Sequence, residues 1–133
     1  PKVPHSTVVI PEREADYQIK DAYPENAPLL YRLTGDTYPL HADPAFAKKA
    51  GFDRPIVHGL CSLGYACRMM IGALFPGEPE RMVSIENQFR AVALPGDHFT
   101  LCVWKTGENE ALFRMVKDSD GKAILDYGRM TWK

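Results

Sequence analysis

Hydrophobic positions follow two different periods along the chain. Between residues 59 and 74, apolar side chains recur at steps of three and four, at Leu60, Leu63, Cys67, Met70, Ile71 and Leu74. This spacing predicts one amphipathic helix over residues 59–74. The helix is expected to end at Phe75-Pro76-Gly77, because proline and glycine there do not continue a helix.

After residue 77 apolar and polar residues alternate, which is typical of half-buried strands. The alternation predicts strands over residues 82–93, 98–105, 111–117 and 123–132. On the first of them, Val83, Ile85, Asn87 and Phe89 are expected to share one face. The turns between strands are too short for crossovers, so the strands should be antiparallel. A long helix followed by hairpins indicates an α+β fold, with the helix buried on the sheet.

The first 24 residues carry no clear period and four prolines, so residues 1–24 are predicted to be an extended arm or linker. Within them, residues 8–10 can add one short strand. Residues 25–133 are predicted to form the folded domain. It should begin with a short helix over residues 25–33, with Asn26 as the N-cap and with four candidate buried positions, Ala27, Leu29, Leu30 and Leu33.

Candidate chemistry lies between this short helix and the long one. Asp36 and His41 lie five positions apart, and Gly35 suits the left-handed end of the preceding helix. Asp43-Pro44 is a strong start for a second short helix over residues 44–50. Gly59 then begins the long helix, whose first N–H groups are free to meet a developing negative charge. The sequence therefore predicts a site at residues 31–59.

Composition narrows the possible functions. The chain has 133 residues and a net charge of −1, so it holds one domain and lacks the basic surface that nucleic acids or anionic membranes require. No apolar run reaches the roughly 18 residues of a membrane span. The odd number of cysteines argues against a disulfide framework and favours a reducing compartment; they are Cys61, Cys67 and Cys102.

Other site types find little support in the sequence. His41, Asp43 and His58 could be grouped as metal ligands, but their spacing fits no standard zinc signature, so no metal is expected. His58 is instead expected to bond to the backbone near the start of the long helix. The chain has no Gly-x-Ser-x-Gly elbow and no glycine-rich phosphate loop, and we expect no cofactor.

About thirty residues resemble one enzyme family closely. The segments YRLTGD at 31–36, PLHADP at 39–44, GF at 51–52 and PIVHGL at 55–60 resemble the MaoC-like (R)-specific enoyl-CoA hydratases, also called hydratase 2. The resemblance implies a hot-dog fold, in which an antiparallel sheet wraps a central helix. It also implies reversible hydration of a trans-2-enoyl-CoA to a (3R)-3-hydroxyacyl-CoA.

The resemblance assigns roles to individual residues. Asp36 and His41 would hold one water and shuttle protons, and the Gly59 N–H would stabilise the thioester oxygen. Phe89 would bind substrate, as would the turn residues Pro39 and Leu40, with ordinary strand packing as the alternative for Phe89. Tyr38 stands where the family commonly has Asn. Its hydroxyl can keep a hydrogen bond, or its ring can narrow the pocket or lower the rate, and the sequence leaves these three open.

The resemblance also implies partners. The Pro-Lys-Val-Pro opening is similar to the segment that joins the halves of double hot-dog hydratases, so we expect this chain to be such a second half. It should bind an acyl-CoA thioester and form a homodimer or pair with a second hot-dog domain. A cytoplasmic or peroxisomal location follows from the same relatives. No segment for binding nucleic acid or spanning a membrane is expected.

Two other functions remain open at this stage. A hot-dog acyl-CoA thioesterase would use Asp36 near the thioester carbon and release free thiol. A non-catalytic acyl-CoA binding module would bind without turnover, which the presence of Tyr38 makes credible. The phosphates of CoA would meet scattered basic side chains, and the sequence does not rank the candidates Arg54, Arg68, Arg90 and Arg114.

Overall fold

A computed structural model describes residues 6–133 as one antiparallel sheet packed on one long helix. The helices are α1 (Ala27–Tyr31), α2 (Pro44–Lys49) and α3 (Gly59–Leu74). The strands are β1 (Tyr17–Ala22), β2 (Met82–Phe89), β3 (His98–Gly107), β4 (Glu110–Lys117) and β5 (Ala123–Trp132). The strand order in the sheet is β1-β3-β4-β5-β2, and all neighbours run antiparallel. The predicted α+β hot-dog architecture is confirmed.

The core lies between α3 and the three central strands. Because side chains alternate along a strand, one face of β3, β4 and β5 supplies side chains with no exposed surface, including Phe99, Leu101, Val103, Phe113, Met115, Leu125 and Met130. The buried residues of α3 are Cys61, Ser62, Ala66, Met69 and Met70. Among residues 6–133, no helix is long and apolar enough to cross a membrane.

Helix α3 has the predicted bounds, but its most buried residues are not the set that the apolar spacing predicted. Leu60 is largely exposed, whereas Leu63, Cys67, Ile71 and Leu74 are partly buried and pack beside the core. The reason is that the small residues Ser62 and Ala66 permit close approach of helix and sheet, so they occupy the centre of the contact. The three cysteines are free, as expected for a chain without a disulfide framework.

The predicted N-terminal arm needs a correction. Residues 17–22 form β1, which pairs with β3 from Tyr17↔Val103 to Ala22↔His98. An edge strand is stabilised by backbone hydrogen bonds on one side, so it needs no continuous apolar pattern, and its polar Gln18 and Lys20 hid it. Residues 8–10 form no strand. The part of the predicted arm at residues 1–5 lies outside the described residues.

Further expectations about α1 and β2 were wrong. In α1 only Ala27 of the four candidates is buried, while Leu29, Leu30 and Leu33 are exposed, because this short helix turns Ala27 and Pro28 inward. Asn26 precedes α1 but makes no side-chain capping bond. Strand β2 ends at Phe89 rather than residue 93, after register shifts that leave both Val83 and Phe89 exposed.

Candidate active site

The turn that carries Asp36 and His41 is held between two helices. Gly35 follows α1 with a φ of 122°, a conformation that favours glycine, so the chain reverses there as predicted. Pro39–His41 form one short 3-10 turn. The Asp43 carboxylate then accepts a hydrogen bond from the N–H of Ala45 at 2.8 Å and fixes the start of α2. Asp43 is therefore a helix cap.

Three polar side chains from different parts of the chain meet beside this turn. One carboxylate oxygen of Asp36 and one ring nitrogen each of His41 and His58 all lie within 4.8 Å of one another. The two imidazole rings are stacked, with centroids 3.7 Å apart and planes inclined by 20°. Groups this close can exchange protons through a shared water molecule.

The tautomer of His41 follows from one hydrogen bond. Its Nδ1 lies 2.8 Å from the carbonyl oxygen of Ile56, and a carbonyl can only accept. Nδ1 therefore carries the hydrogen, and in the neutral ring Nε2 carries the lone pair. His41 can thus take up a proton at Nε2 while the backbone holds its orientation.

His58 is the buried member of the group, with 2% of its surface exposed. Its Nε2 donates to the main-chain oxygen of Asp36 at 3.2 Å and lies 4.0 Å from the Asp36 carboxylate. Its Nδ1 has no hydrogen-bond partner among the described residues. Burial, followed by the nearby His41, lowers the pKa of His58, so the neutral ring is favoured.

Asp36 lies at the surface end of the group. Its side chain is about half exposed, and its carboxylate accepts a long hydrogen bond from the Tyr38 N–H at 3.3 Å. The Tyr38 ring packs edge-on against Phe46 with centroids 5.5 Å apart, and its centroid is 6.2 Å from that of His41. Its hydroxyl makes no hydrogen bond to any of residues 6–133.

Gly59 and Phe89 meet at the start of α3. A Cβ added at Gly59 would lie 2.9 Å from Cδ1 of Phe89, so the ring lies directly over the glycine. A cavity of about 160 Å³ opens there and reaches His41 and Ser62, with residues 90–93 forming another wall. The first N–H groups of α3 therefore lie next to the cavity that the His41 ring lines.

The structure places the remaining predicted residues in supporting positions. Pro39 and Leu40 belong to the turn that carries His41, but neither lines this cavity. The Leu40 carbonyl accepts from the Ile56 N–H at 3.4 Å, which joins the turn to the segment before α3. The sequence did not reveal the wall at residues 90–93. The sequence pattern predicted strand β2 to continue to residue 93 and gave no signal of this wall, although the N–H groups of Arg90 and Ala91 still bond to the backbone of β5.

Basic side chains around the cavity differ in their partners. Arg54 bonds to Glu25 and the Pro95 carbonyl, Arg68 pairs with Asp21, and Arg114 makes two bonds to Asp126. Arg90 and Lys122 form no side-chain hydrogen bond or ion pair with residues 6–133. Both line an open cavity of about 520 Å³ that shares Phe89, Arg90 and Ala91 with the smaller one.

Comparisons with known proteins identify the family of the chain. A sequence profile described as the MaoC like domain matches residues 7–126. Enoyl-CoA hydratase ChsH3 of Mycobacterium tuberculosis is 38% identical over 122 residues, covering 92% of this chain and 43% of that protein. The peroxisomal enoyl-CoA hydratase 2 of Arabidopsis thaliana is 37% identical over 120 residues, covering 90% and 39%. The chain thus spans less than half the length of these relatives.

Solved structures give the same picture. A MaoC-like dehydratase from Phytophthora capsici superposes with a TM-score of 0.93 at 34% identity, covering 100% of this chain and 46% of that one. The (R)-hydratase from A. caviae involved in PHA biosynthesis has a TM-score of 0.69 at 24% identity, covering 90% of this chain and 95% of that one. The second match shows a common fold.

Proposed function

The chain belongs to the MaoC-like dehydratase family, and from this premise we propose that it hydrates trans-2-enoyl-CoA reversibly to (3R)-3-hydroxyacyl-CoA. One observation carries the proposal: the Asp36 carboxylate lies close to the His41 ring, and that ring lines the cavity at the start of α3. A water molecule held by both groups would face the enoyl double bond.

The protonation states proposed for this pair define the proton path. Neutral His41 accepts at Nε2, and the Asp36 carboxylate also accepts, so neither group brings a proton of its own to the reaction. As the water oxygen bonds to C3, one of the two groups takes a water proton and the double-bond electrons move toward C2 and the thioester oxygen. The same proton then goes to C2, so one water supplies both the hydroxyl and the hydrogen.

The start of α3 supports the developing charge in this proposal. As the water attacks, the thioester oxygen becomes enolate-like and needs a hydrogen-bond donor. The Gly59 N–H is the donor we propose, since it lies at the N-terminus of a 16-residue helix and a glycine lets the oxygen approach closely. Loss of one such donor typically costs about 3–4 kcal/mol of transition-state stabilisation.

Substrate binding is proposed to involve Phe89 and two cations. The Phe89 ring covers Gly59 and would lie against the enoyl thioester. Arg90 and Lys122 rank first among the basic residues for the CoA phosphates, because their side chains pair with nothing within residues 6–133 and they line a cavity that shares Phe89, Arg90 and Ala91 with the one at the site. Arg54, Arg68 and Arg114 rank lower because each already pairs with a carboxylate.

The proposal includes a second hot-dog domain, supplied by another copy or by a longer protein. Strands β1 and β2 each have one unpaired edge, and the leucines of α1 are exposed. The relatives' greater length supports a partner domain of the same kind. We propose a cytoplasmic or peroxisomal location, the latter by analogy with the Arabidopsis thaliana relative.

The test follows the absorbance of the enoyl-thioester band with crotonyl-CoA and with a longer enoyl-CoA, then chiral analysis of the product. We expect the absorbance to fall and the R product to form. Asp36→Asn and His41→Ala should each abolish the reaction in a folded protein, because each removes one group that holds the water. Full activity in both variants would contradict the proposal.

Matched controls separate the site from general effects of the substitutions. Asp43→Asn removes a nearby charge but leaves an oxygen that caps α2, and His98→Ala removes an exposed imidazole on β3; both should retain turnover. Release of free thiol would identify a thioesterase instead. Tight acyl-CoA binding without either reaction, also after addition of a first-half domain, would identify a binding module.

A further inference from the structure

His58 makes more contacts with the site than its predicted structural role requires. It contacts two rings, with the His41 centroid 3.7 Å away in a stacked arrangement and the Tyr31 centroid 4.6 Å away in a tilted one. Its Nε2 is bonded to the main chain of Asp36, which lies 22 positions earlier. One buried side chain therefore contacts the residue that carries the carboxylate and the ring that carries the lone pair.

We propose that His58 is a positioning residue that sets the geometry of Asp36 and His41 relative to each other. Its Nε2–H holds the main chain of Asp36, and its ring is the flat surface on which His41 stacks. His58 does not reach the reacting atoms in this arrangement. The kinetic consequences of this proposal rest on the proposed hydration. Its structural consequences rest on the hydrogen bond from His58 to the Asp36 main chain.

The physical need for such a residue comes from the exposure of Asp36. Its side chain is about half exposed and receives only the 3.3 Å bond from the Tyr38 N–H, so little else fixes its direction. His58 is the residue before Gly59, at the N-cap of α3. Through His58, the Asp36–His41 pair is fixed to the same helix end that presents the Gly59 N–H. A displacement of about 1 Å between such groups can lower a rate about a hundredfold.

The role requires that Nε2 of His58 carries hydrogen. The titratable and charged side chains that act on it are Asp36, His41 and Arg32, and the Tyr31 ring covers one face. Burial and the charge that His41 carries when protonated both lower the pKa of His58. The His58 ring is therefore expected to stay neutral while His41 accepts a proton. Because Nδ1 has no partner among the described residues, the bond to Asp36 is the one that orients the ring.

Two substitutions separate the hydrogen bond from the stacking. His58→Phe keeps a flat ring against His41 but removes the donor, whereas His58→Gln keeps an N–H donor near the position of Nε2 but removes the ring. We expect kcat for enoyl-CoA hydration to fall about a hundredfold in His58→Phe while KM changes less than about twofold. His58→Gln should recover most of the lost kcat.

A core substitution away from the site is the control for stability. Phe75→Leu alters a residue that is 1% exposed at the other end of α3, so it should lower the melting temperature and leave kcat and its pH profile unchanged. Wild-type kcat in His58→Phe would overturn the proposal. Equal losses in both His58 variants that merely follow their melting temperatures would also overturn it, since a structural role predicts that result.

A measurement on the unsubstituted chain tests the proposal without activity or variants. Nitrogen-15 NMR of the imidazole rings distinguishes Nε2–H, Nδ1–H and the imidazolium ion. We expect His58 to be the neutral Nε2–H tautomer at pH 7, with its pKa below the usual range of a histidine because the ring is buried. A neutral Nδ1–H state of His58 at pH 7 would overturn the proposal even if hydration is confirmed. The expected tautomer would support it even if no substrate is turned over.

Discussion

Tyr38 is the site residue whose contribution the fold explains least. Its backbone N–H helps to hold Asp36, yet its ring packs toward Phe46 and its hydroxyl bonds to nothing in residues 6–133. An aromatic ring with an unused hydroxyl acts through its volume. We therefore expect Tyr38 to act through the volume of its ring and to add no proton path of its own.

Replacement of Tyr38 by the amide common in the resembling family should raise the rate. We expect Tyr38→Asn to increase kcat about fivefold in the enoyl-CoA assay, which is the effect of one added hydrogen bond of about 1 kcal/mol. Tyr38→Phe is the control and should match the unsubstituted chain because the hydroxyl has no partner. Loss of activity in Tyr38→Phe would show that the hydroxyl contributes after all.

Arg90 and Lys122 should act on binding and not on chemistry. We expect the double variant Arg90→Gln and Lys122→Gln to raise KM for an enoyl-CoA about tenfold with kcat retained, since about 1.4 kcal/mol of phosphate binding is lost. The KM for an enoyl-pantetheine thioester, which lacks the nucleotide, should not change. Lys105→Ala, a cation at the far end of the sheet, is the control.

The same shift with both substrates would contradict a phosphate site, because the effect would then not depend on the phosphates. Comparison of CoA and pantetheine binding by calorimetry gives the same test without turnover. The double variant should weaken CoA binding and leave pantetheine binding unchanged.

Elements were predictable where one face of the element is densely apolar. Helix α3 and strands β3, β4 and β5 place continuous sets of side chains in the core, so their periods were visible in the sequence. Strand β1 was not visible, because an edge strand is selected by its backbone pairing with β3. The leucines of α1 predicted buried positions that are exposed in the fold, since apolar residues are not always buried against their own domain.

The residues of the candidate site could be identified from the sequence, but their arrangement in space could not. The spacing of Asp36 and His41 identified the candidate pair. The bond from His41 to the Ile56 carbonyl spans 15 positions, and that from His58 to the Asp36 carbonyl spans 22. Contacts at such separations depend on how the turn packs on the start of α3, and no local sequence pattern encodes them.

Strands β4 and β5 pack so closely at Gly128 that no space remains there for a side chain. A Cβ added there would lie 2.6 Å from three atoms of the Phe113 ring, which is fully buried on β4. We expect Gly128→Ala to lower the free energy of unfolding by about 1–3 kcal/mol, because the core cannot make room without strain. Denaturant unfolding measures the change.

Gly107→Ala is the matched control for this substitution. Its added Cβ would meet Glu110 at 3.7 Å, an ordinary contact, so stability should change little. Equal stability of the Gly128→Ala variant and the unsubstituted chain would show that the Phe113 ring can move.

The whole molecule presents an apolar surface that one copy leaves uncovered. Leu33 is 80% exposed, Leu60 is 60% exposed, and both belong to the segments that flank the candidate site. Large apolar side chains exposed to this extent favour an interface with a partner. We therefore expect the chain to associate at micromolar concentration, as a homodimer or with a second hot-dog domain.

Sedimentation of the unsubstituted chain and of Leu33→Lys tests this expectation. The lysine should weaken association at least about tenfold, because an interface would have to desolvate its charge, and should leave folding intact at this exposed position. The expectation of association would be contradicted if the chain stayed monomeric at micromolar concentration and also failed to bind an added first-half domain.

The position of β1 at the sheet edge has a consequence for synthesis on the ribosome. Its partner β3 begins at His98, so residues 17–22 leave the exit tunnel well before the strand they pair with. Local hairpins such as β3-β4 and β4-β5 form readily once made, whereas the distant β1-β3 pairing must wait. The alternating polar residues Gln18 and Lys20, which hid this strand in the sequence, would keep the nascent segment soluble while it is still unpaired.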